Sequence, residues 1–233
     1  MPAPLTEAAI DQIRGLILSG ELQPGQRLPA EAELSAQVGV SRGSLREAVR
    51  ALVSAGVLDV RRGDGTYVTD LSPELLLSGL GAAVELMGER SLLHLLETRR
   101  IIEPAVTALA AERADQRQLR QINRHLGLMA AAHSLEDLVR HDAHFHQAVA
   151  AASGNVVLSS ILQGISTVTM RTRVWRGLID DDARDRTIAE HRAIATAVAA
   201  RQPRLAEAAA LLHVAGVEEW AQHMSPVADE DAG

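Results

Sequence analysis

One stretch of the chain, SLEDLVRHDAHFHQAVAAASGN, places three His and two Asp within ten residues. At 100° per residue of an α-helix, Asp142 and His146 share one face. His144 points to the opposite side, and His141 lies well off that face. The shared face also carries the apolar residues Leu135, Leu138, Phe145 and Val149. A carboxylate and an imidazole buried together without a partner destabilise a core, so the pattern predicts a partner for this pair.

Two further histidines are positioned to complete a metal site with this pair. His191 and His213 lie on the apolar faces of two predicted helices, with Pro203 between them. If these helices form an antiparallel hairpin that turns near Pro203, both histidines lie roughly 15–18 Å from the turn, at about 1.5 Å per residue, and are side by side. One Asp and three His inside a bundle suit a divalent cation, Zn²⁺ first and Ni²⁺ or a similar ion as alternatives. The competing interpretation is a set of core histidines that each have a separate partner.

An inward-facing arginine is the third chemical feature. Arg99 falls in the middle of the apolar stripe of a helix predicted over 91–113, with Glu103 beside it. A guanidinium aimed into a core can hold a carboxylate through two parallel hydrogen bonds. The same spacing equally allows an internal ion pair between Arg99 and Glu103, so the sequence leaves both interpretations open.

Three arginines near the N-terminus, Arg42, Arg46 and Arg50, follow each other at intervals of four residues. They lie away from the apolar stripe of a predicted helix, and Ser41 and Ser44 occupy its first turn. The N-terminal end of a recognition helix reaches base edges in the major groove, and hydroxyl groups and helix N-termini suit phosphates. The pattern predicts a DNA-reading helix, and a solvated arginine face is the alternative.

A predicted hairpin after this helix carries two more arginines. The segment VLDVRRGDGTYVT has β-branched residues on either side of a Gly-Asp-Gly turn, which is typical of a hairpin. Arg61 and Arg62, next to Gly63 at the tip, are in a position to reach an adjacent phosphate or the minor groove. Three short helices followed by such a hairpin have the layout of a winged helix-turn-helix, which favours the DNA-reading interpretation.

The elements that must hold these residues divide the chain into an N-terminal and a C-terminal part. We expect a winged helix-turn-helix over 1–70, a linker over 71–74, a helical effector-binding and dimerisation domain over 75–224, and a disordered tail over 225–233. The C-terminal part shows no convincing strand. Its helices are predicted over 74–87, 91–113, 116–131, 135–152, 156–178, 185–201 and 203–222. The predicted fold class is therefore mainly α, a winged helix-turn-helix followed by an all-helical bundle.

Composition excludes several classes of protein. The 233 residues are 47% hydrophobic but only 2% aromatic, which favours packed helices over a β-sandwich. The absence of Cys excludes a disulfide scaffold, a thiolate zinc finger and a cysteine nucleophile. No run of 18 apolar residues occurs and the N-terminus has no basic leader, so we expect a cytoplasmic protein that does not enter a membrane.

The charge of the chain also restricts how it binds DNA. The formal net charge is −7, and all 23 basic residues are Arg. Residues 1–70 hold 7 Arg against 9 acidic residues, so the N-terminal part is not a basic module by composition. Binding to DNA must therefore rest on a local arginine cluster rather than on the overall field.

The N-terminal motifs resemble those of a known family. The string LPAEAELSAQVGVSRGSLREAVRALVSAGVLDVRRGDGTYV is similar to the DNA-binding domain of the GntR superfamily of bacterial transcription regulators. The resemblance implies DNA contacts by Ser41, Arg42, Ser44 and Arg46, and by Arg62 and Gly63 in the wing. Many members place Arg after the Pro-x-Glu of the second helix, where this chain has Ala32, so affinity or operator preference is expected to differ.

The C-terminal motifs resemble the FadR-like effector domain, called FCD, that accompanies this winged helix. The resemblance rests on DAHFHQAVAAASGN and EHRAIATAVAARQPRLAEAAALLHV. In metal-binding members of that family the ligands correspond to Asp142, His146, His191 and His213. The string ETRRIIEPAVTALAAERA is similar to the first effector-domain helix, which implies that Arg99 pairs with an acid ligand. Asn155 matches a Gly-Asn that follows the metal-ligand helix, where it either lines the pocket or caps the next helix.

Together these features predict a metabolite-responsive transcription regulator, a repressor rather than an activator, that binds operator DNA as a homodimer. The expected effector is a small carboxylic acid, such as a sugar acid, a hydroxy acid or a dicarboxylate, held by the cation and by Arg99. One alternative is a metal-dependent hydrolase or lyase, because a cation with an open position can activate water. The other is a metal-free bundle that only dimerises the DNA reader. We expect no enzymatic activity, because the sequence offers no general base placed as in a zincin motif.

Overall fold

A computed structural model of the chain describes residues 4–76, 90–166 and 183–224. The chain divides into two compact units, Met1–Leu76 and Leu77–Gly233, and each has a hydrophobic core of its own. The predicted tail over 225–233 lies outside the described residues, as does most of the helix predicted over 74–87. No helix among the described residues is long and apolar enough to cross a membrane.

The first unit contains three helices, a hairpin and a final short turn of helix. In chain order these are α1 (Pro4–Leu18), α2 (Glu31–Val38), α3 (Arg42–Ser54), β1 (Leu58–Arg61), β2 (Gly65–Val68) and α4 (Pro73–Leu76). Gly39 ends α2 in the left-handed conformation, with φ of 71°, and its N–H donates to the carbonyl oxygen of Ser35. Ser41 then caps α3, because its Oγ accepts a hydrogen bond from the backbone N–H of Ser44 at 3.1 Å.

The wing is a two-stranded antiparallel ribbon in which Leu58 pairs with Val68 and Arg61 pairs with Gly65. Gly65 has φ of 142°, and a Cβ at this position would lie only 2.6 Å from Nε of Arg27. The backbone conformation at this position favours glycine, whereas the flexible end of the Arg27 side chain could move away from a Cβ.

An apolar core joins the helices of the first unit to the base of the wing. Its buried residues are Ala9, Ile13, Leu22, Leu28, Leu34, Leu45, Ala48, Leu52, Leu58 and Val68. The stripe predicted for α3 thus faces inward, and its arginines are left on the outside. The predicted winged helix-turn-helix is confirmed.

The second unit is helical throughout the part that the structure describes. Its helices are α5 (Arg90–Arg113), α6 (Gln116–Ala130), α7 (Leu135–Ala152), α8 (residues 156–166), α9 (Ala183–Ala199) and α10 (Pro203–Met224). The predicted helices agree with these to within two residues, except that the end of the one predicted over 156–178 lies outside the described residues. The predicted mainly α fold class is confirmed.

Small and branched side chains fill the core of the helical unit around Phe145, which is the only phenylalanine of the chain. The apolar cluster that contains Phe145 draws residues from α5, α6, α9 and α10, including Ala110, Ile122, Ile194, Val198 and Ala210. Many of these residues are alanine, so the helices approach closely. The close approach brings polar residues of four helices together beside this core.

Candidate functional site

The four predicted metal ligands come from three helices and are all buried. Asp142 and His146 lie one turn apart on α7, while His191 lies on α9 and His213 on α10. The turn before Pro203 places α9 and α10 side by side, and the ring centroids of His191 and His213 are 4.5 Å apart. We call these four residues the inner site.

The polar atoms of the inner site converge. Nε2 of His191 lies 3.0 Å from Nε2 of His146 and 3.1 Å from Oδ1 of Asp142. A ring nitrogen of His213 lies within 4.8 Å of ring nitrogens of the other two histidines. Two ligands that bind one Zn²⁺ at about 2.1 Å are separated by roughly 3.0–3.4 Å, so the closest of these separations fit a single cation.

An acceptor behind each imidazole fixes the direction of its lone pair. The acceptors of the Nδ1–H groups are the carbonyl oxygen of Thr187 for His191 at 2.6 Å, Oε2 of Glu190 for His213 at 2.7 Å, and Oε1 of Glu103 for His146. A neutral imidazole that donates through Nδ1 carries its lone pair on Nε2. The lone pairs of His146 and His191 therefore face each other and the carboxylate of Asp142, an arrangement that needs a cation or a proton between them.

Burial and neighbouring charge set the protonation of this cluster. Burial alone would raise the pKa of Glu103, but the Arg99 guanidinium and His146 outweigh it and hold that pKa well below its usual range. Burial lowers the pKa of His146, although the adjacent Glu103 opposes the shift. Burial, together with His191 and His146, lowers the pKa of His213 well below its ordinary value. The site therefore favours neutral His146 and His213 beside an ionised Glu103, which is the state that binds a metal.

Neither Glu103 nor Glu190 was predicted as a partner of the predicted metal ligands. Glu103 could have been found, because it lies four residues after Arg99 on the same helical stripe. Glu190 had no such signal, because its partner His213 is 23 residues away on another helix.

Arg99 is fully buried and makes one hydrogen bond within the described structure, from Nε to Oε2 of Glu103 at 2.8 Å. Its Nη1 and Nη2 atoms are buried and have no hydrogen-bond partner there. Of the two interpretations left open by the sequence, the ion pair with Glu103 is therefore present, whereas the binding of a ligand carboxylate by Arg99 stays a prediction. Glu103 also contacts His146, so it links the arginine to the inner site.

The structure places Asn155 as a cap. Its Oδ1 accepts hydrogen bonds from the backbone N–H groups of Val157 and Leu158, both at 3.1 Å, at the start of α8. This is the capping alternative offered by the sequence. A contact between Asn155 and an effector remains a prediction.

The predicted DNA-reading residues lie on the exposed face of α3. Arg46 donates through Nε to Oε2 of Glu31 on α2 at 3.0 Å, and Arg50 donates to Glu47 at 2.8 Å. Arg42 forms no ion pair with any residue that the structure describes. Exposed ion pairs of this kind are worth about 0–1 kcal/mol, so phosphates can replace the carboxylates at small cost.

The arginines of the wing differ in their surroundings. Cζ of Arg61 lies 4.0 Å from the centroid of the Tyr67 ring, which holds its side chain against β2. Arg62 and Gly63 are exposed in the turn, and Gly63 has φ of 76°. Arg27, which belongs to none of the predicted DNA-reading motifs, is exposed at the base of the wing beside Gly65.

Comparison with known families assigns both parts of the chain. Residues 5–68 match the family described as bacterial regulatory proteins, gntR family, and residues 94–216 match the FCD domain. The chain belongs to the gntR family. It is a DNA-binding transcription regulator of the GntR type with an FCD domain, as its motifs predicted. Both families consist of regulators rather than enzymes, so the hydrolase or lyase alternative is wrong.

Individual regulators of this family are similar over most of the chain. The HTH-type transcriptional regulator LutR of Bacillus subtilis (strain 168) is 33% identical over 210 residues, which are 88% of this chain and 95% of LutR. The galactonate operon transcriptional repressor of Escherichia coli (strain K12) is 31% identical over 208 residues, 85% of this chain and 89% of the repressor. The solved structure of a Streptococcus agalactiae GntR protein superimposes with a TM-score of 0.69 at 29% identity, over 92% of this chain and 99% of that one.

Proposed function

We propose that this GntR regulator is a repressor whose helical domain, over 75–224, binds a divalent metal ion and a small carboxylic acid. The cation, Zn²⁺ first and Ni²⁺ or a similar ion otherwise, would be held by the inner site. The observation that carries the proposal is the fully buried Arg99, whose Nη1 and Nη2 atoms have no partner in the described structure. The effector carboxylate would supply those partners.

The donor set of the inner site supports the metal. Three imidazoles and one carboxylate converge, and two of the imidazoles present their lone pairs to each other at 3.0 Å. Two such lone pairs repel without a positive charge between them, and FCD domains are known to bind metals. A bound cation would supply that charge and open coordination positions for a carboxylate oxygen.

The surroundings of Arg99 support a carboxylate as the effector. A buried guanidinium with unpaired N–H groups is destabilising, and two parallel N–H groups match the two oxygens of a carboxylate. Glu103 occupies only the Nε side, which leaves the forked edge of the guanidinium for the ligand. A relative 31% identical to this chain regulates a galactonate operon, and galactonate is a sugar acid. A hydroxy acid of this kind is the effector class that we propose.

We further propose that the protein binds operator DNA as a homodimer, through the winged helix-turn-helix of residues 1–70. A single short recognition helix reads few base pairs, and two-fold symmetry doubles the site. The effector would act by binding one arrangement of the dimer more tightly than another, which shifts the population that is competent for DNA. Because regulators of this bacterial family bind operator DNA, the place of action that we propose is the cytoplasm.

Thermal unfolding of the full chain tests the effector site. The protein is stripped of metal, reloaded with Zn²⁺ and heated with D-galactonate, L-lactate and other small carboxylic acids. An acid present at about 100 times its Kd adds roughly 2.7 kcal/mol to the free energy of unfolding, which raises Tm by a few degrees. The shift should disappear in Arg99→Gln and in His146→Ala. It should persist in Arg100→Gln, because Arg100 pairs with Glu218 on another face of α5.

The outcome distinguishes the proposal from a metal-free bundle that serves only for dimerisation. A Zn²⁺-loaded protein whose Tm rises with none of the acids contradicts the carboxylate effector. A stripped protein that takes up no Zn²⁺ at the inner site contradicts the metal as well, and leaves the bundle as a dimerisation module.

Selection of DNA tests the recognition helix. Sequences bound by the wild-type protein are enriched from a random library, and the affinities of variants for the enriched sequence are then compared. Arg46→Ala should weaken binding by roughly 5- to 150-fold, since a bidentate base contact is worth roughly 1–3 kcal/mol. Arg14→Ala is the matched control, because Arg14 is an exposed arginine of α1 outside the predicted interface. Equal affinities of the two variants would refute the assignment of α3.

A further inference from the structure

A second group of histidines comes together on the other side of α7. His125 of α6 and His141 and His144 of α7 have ring centroids 5.1–6.1 Å apart. One ring nitrogen of each lies within 4.8 Å of those of the other two. Rings that share one metal at about 2.1 Å from nitrogen have centroids roughly 4.5–5.5 Å apart, so small rotations of these side chains would close the site. We call these residues the outer cluster.

The outer cluster has polar atoms that nothing in the described structure satisfies. The Nδ1 atoms of His125 and His141 are buried and have no hydrogen-bond partner among the described residues. His144 is exposed, so water and ions reach the cluster from solvent.

We propose that His125, His141 and His144 form a second site for a divalent transition-metal ion of the Zn²⁺ type, which ties α6 to α7. Three imidazoles with water in the remaining position are a donor set that Zn²⁺, Ni²⁺ and Cu²⁺ accept. Each helix contributes at least one ligand, so a bound ion cross-links them. The outer site does not depend on the inner one, and the two face opposite sides of α7.

Local charge predicts which of the two sites binds a metal ion more tightly. The inner site includes the carboxylate of Asp142, whereas Arg124 and Arg140 lie near the imidazoles of the outer cluster. Arg140 is paired with Asp137, which offsets part of that positive charge. The inner site should therefore fill first in a titration, and the outer site at a higher concentration of metal.

Titration of the stripped, full-length protein with Zn²⁺ tests the second site. Isothermal calorimetry gives the affinities, and elemental analysis after gel filtration gives the number of ions per chain. The wild-type protein should bind two Zn²⁺ ions in two phases. His144→Ala should lose the weaker phase, with an affinity at least about 100-fold lower, since even an outer-shell partner is worth about 10–100-fold. His146→Ala should lose the tighter phase and keep the weaker one.

Two further variants keep the interpretation clear. His133→Ala removes an exposed histidine that lies just before α7 and outside the cluster, and it should still bind two ions. His125→Gln removes the ligand of α6, and it decides the question if His144→Ala alters the unfolding of the metal-free protein. The proposal is overturned if both outer-cluster variants bind Zn²⁺ like the wild type, or if the wild type binds a single ion that His146→Ala removes. If a single ion is lost in His144→Ala but not in His146→Ala, the outer site stands and the inner one fails.

Discussion

Each imidazole of the inner site is oriented by a hydrogen bond on its far side. Thr187 offers a backbone carbonyl, whereas Glu103 and Glu190 offer carboxylates. A carboxylate behind an imidazole fixes the tautomer and raises the basicity of the ligating nitrogen. The two glutamates differ in burial, since Glu103 is buried and also holds Arg99, whereas Glu190 is half-buried and can be replaced with less damage to the core.

Glu190→Ala should weaken the affinity for Zn²⁺ by about 10–100-fold, because the ring of His213 loses the acceptor that orients it. Glu190→Gln should weaken it less, since the amide oxygen can still accept from Nδ1. Competition with a chelator of known affinity measures both. Glu207→Ala, at an exposed glutamate of α10, is the control and should bind Zn²⁺ like the wild type. An unchanged affinity in Glu190→Ala would contradict the orienting role of Glu190 behind His213.

Among the elements, α3 is capped by a residue that has a structural role and a predicted role in DNA binding. Ser41 is the N-cap of the helix, and its Oγ also lies 3.0 Å from Oγ of Ser44. The same hydroxyl is predicted to contact a DNA phosphate. A variant that keeps the cap but changes the charge separates the two roles.

Ser41→Asp should keep α3 stable and abolish tight DNA binding. Aspartate caps a helix as well as serine does, but its charge repels the phosphate backbone, and like charges brought together cost several kcal/mol. Ser41→Ala should instead destabilise α3 by about 1 kcal/mol. Hydrogen exchange at the amides of α3 measures the stability, and binding to the selected operator measures the affinity. If Ser41→Asp binds that DNA like the wild type, Ser41 does not face a phosphate.

Local signals predicted the elements that depend on a few neighbouring residues. The cap at Ser41, the glycine after α2 and the Gly-Asp-Gly turn of the wing each have a short-range cause, so the winged helix could be predicted from its sequence. That His191 and His213 lie side by side could also be predicted. Pro203 indicates the turn between the two helices, and the rise per residue places both histidines at similar distances from that turn.

Contacts between distant helices could not be predicted in the same way. The helical wheel correctly placed His144 on the side of α7 opposite to Asp142. It could not predict that His125 of α6 contacts His144 on that side. The position of Glu190 behind His213 likewise depends on how α9 packs on α10. Periodicity describes one helix at a time, whereas these contacts depend on the rotation of one helix against another.

For the whole molecule, the net charge of −7 means that its long-range field does not attract DNA. Binding has to come from the few exposed arginines of the winged helix, several of which are paired with acids in the free protein. The number of those contacts can be measured from the salt dependence of DNA binding. Each neutralised phosphate changes the slope of the logarithm of the binding constant against the logarithm of the salt concentration by about 0.9. In a two-fold symmetric dimer, every contact is counted twice.

Arg62→Ala should therefore reduce the magnitude of this slope by about 1.8 if the protein binds DNA as a homodimer, but by about 0.9 if a single chain binds. Arg62 suits the measurement because it is exposed in the wing turn and forms no ion pair with any residue in the described part of the chain. Binding to the selected operator is measured between 50 and 200 mM salt, roughly the range over which such slopes are large. Arg14→Ala should leave the slope unchanged. An unchanged slope in Arg62→Ala would exclude a phosphate contact by Arg62, and a change near 0.9 would contradict symmetric binding by two chains.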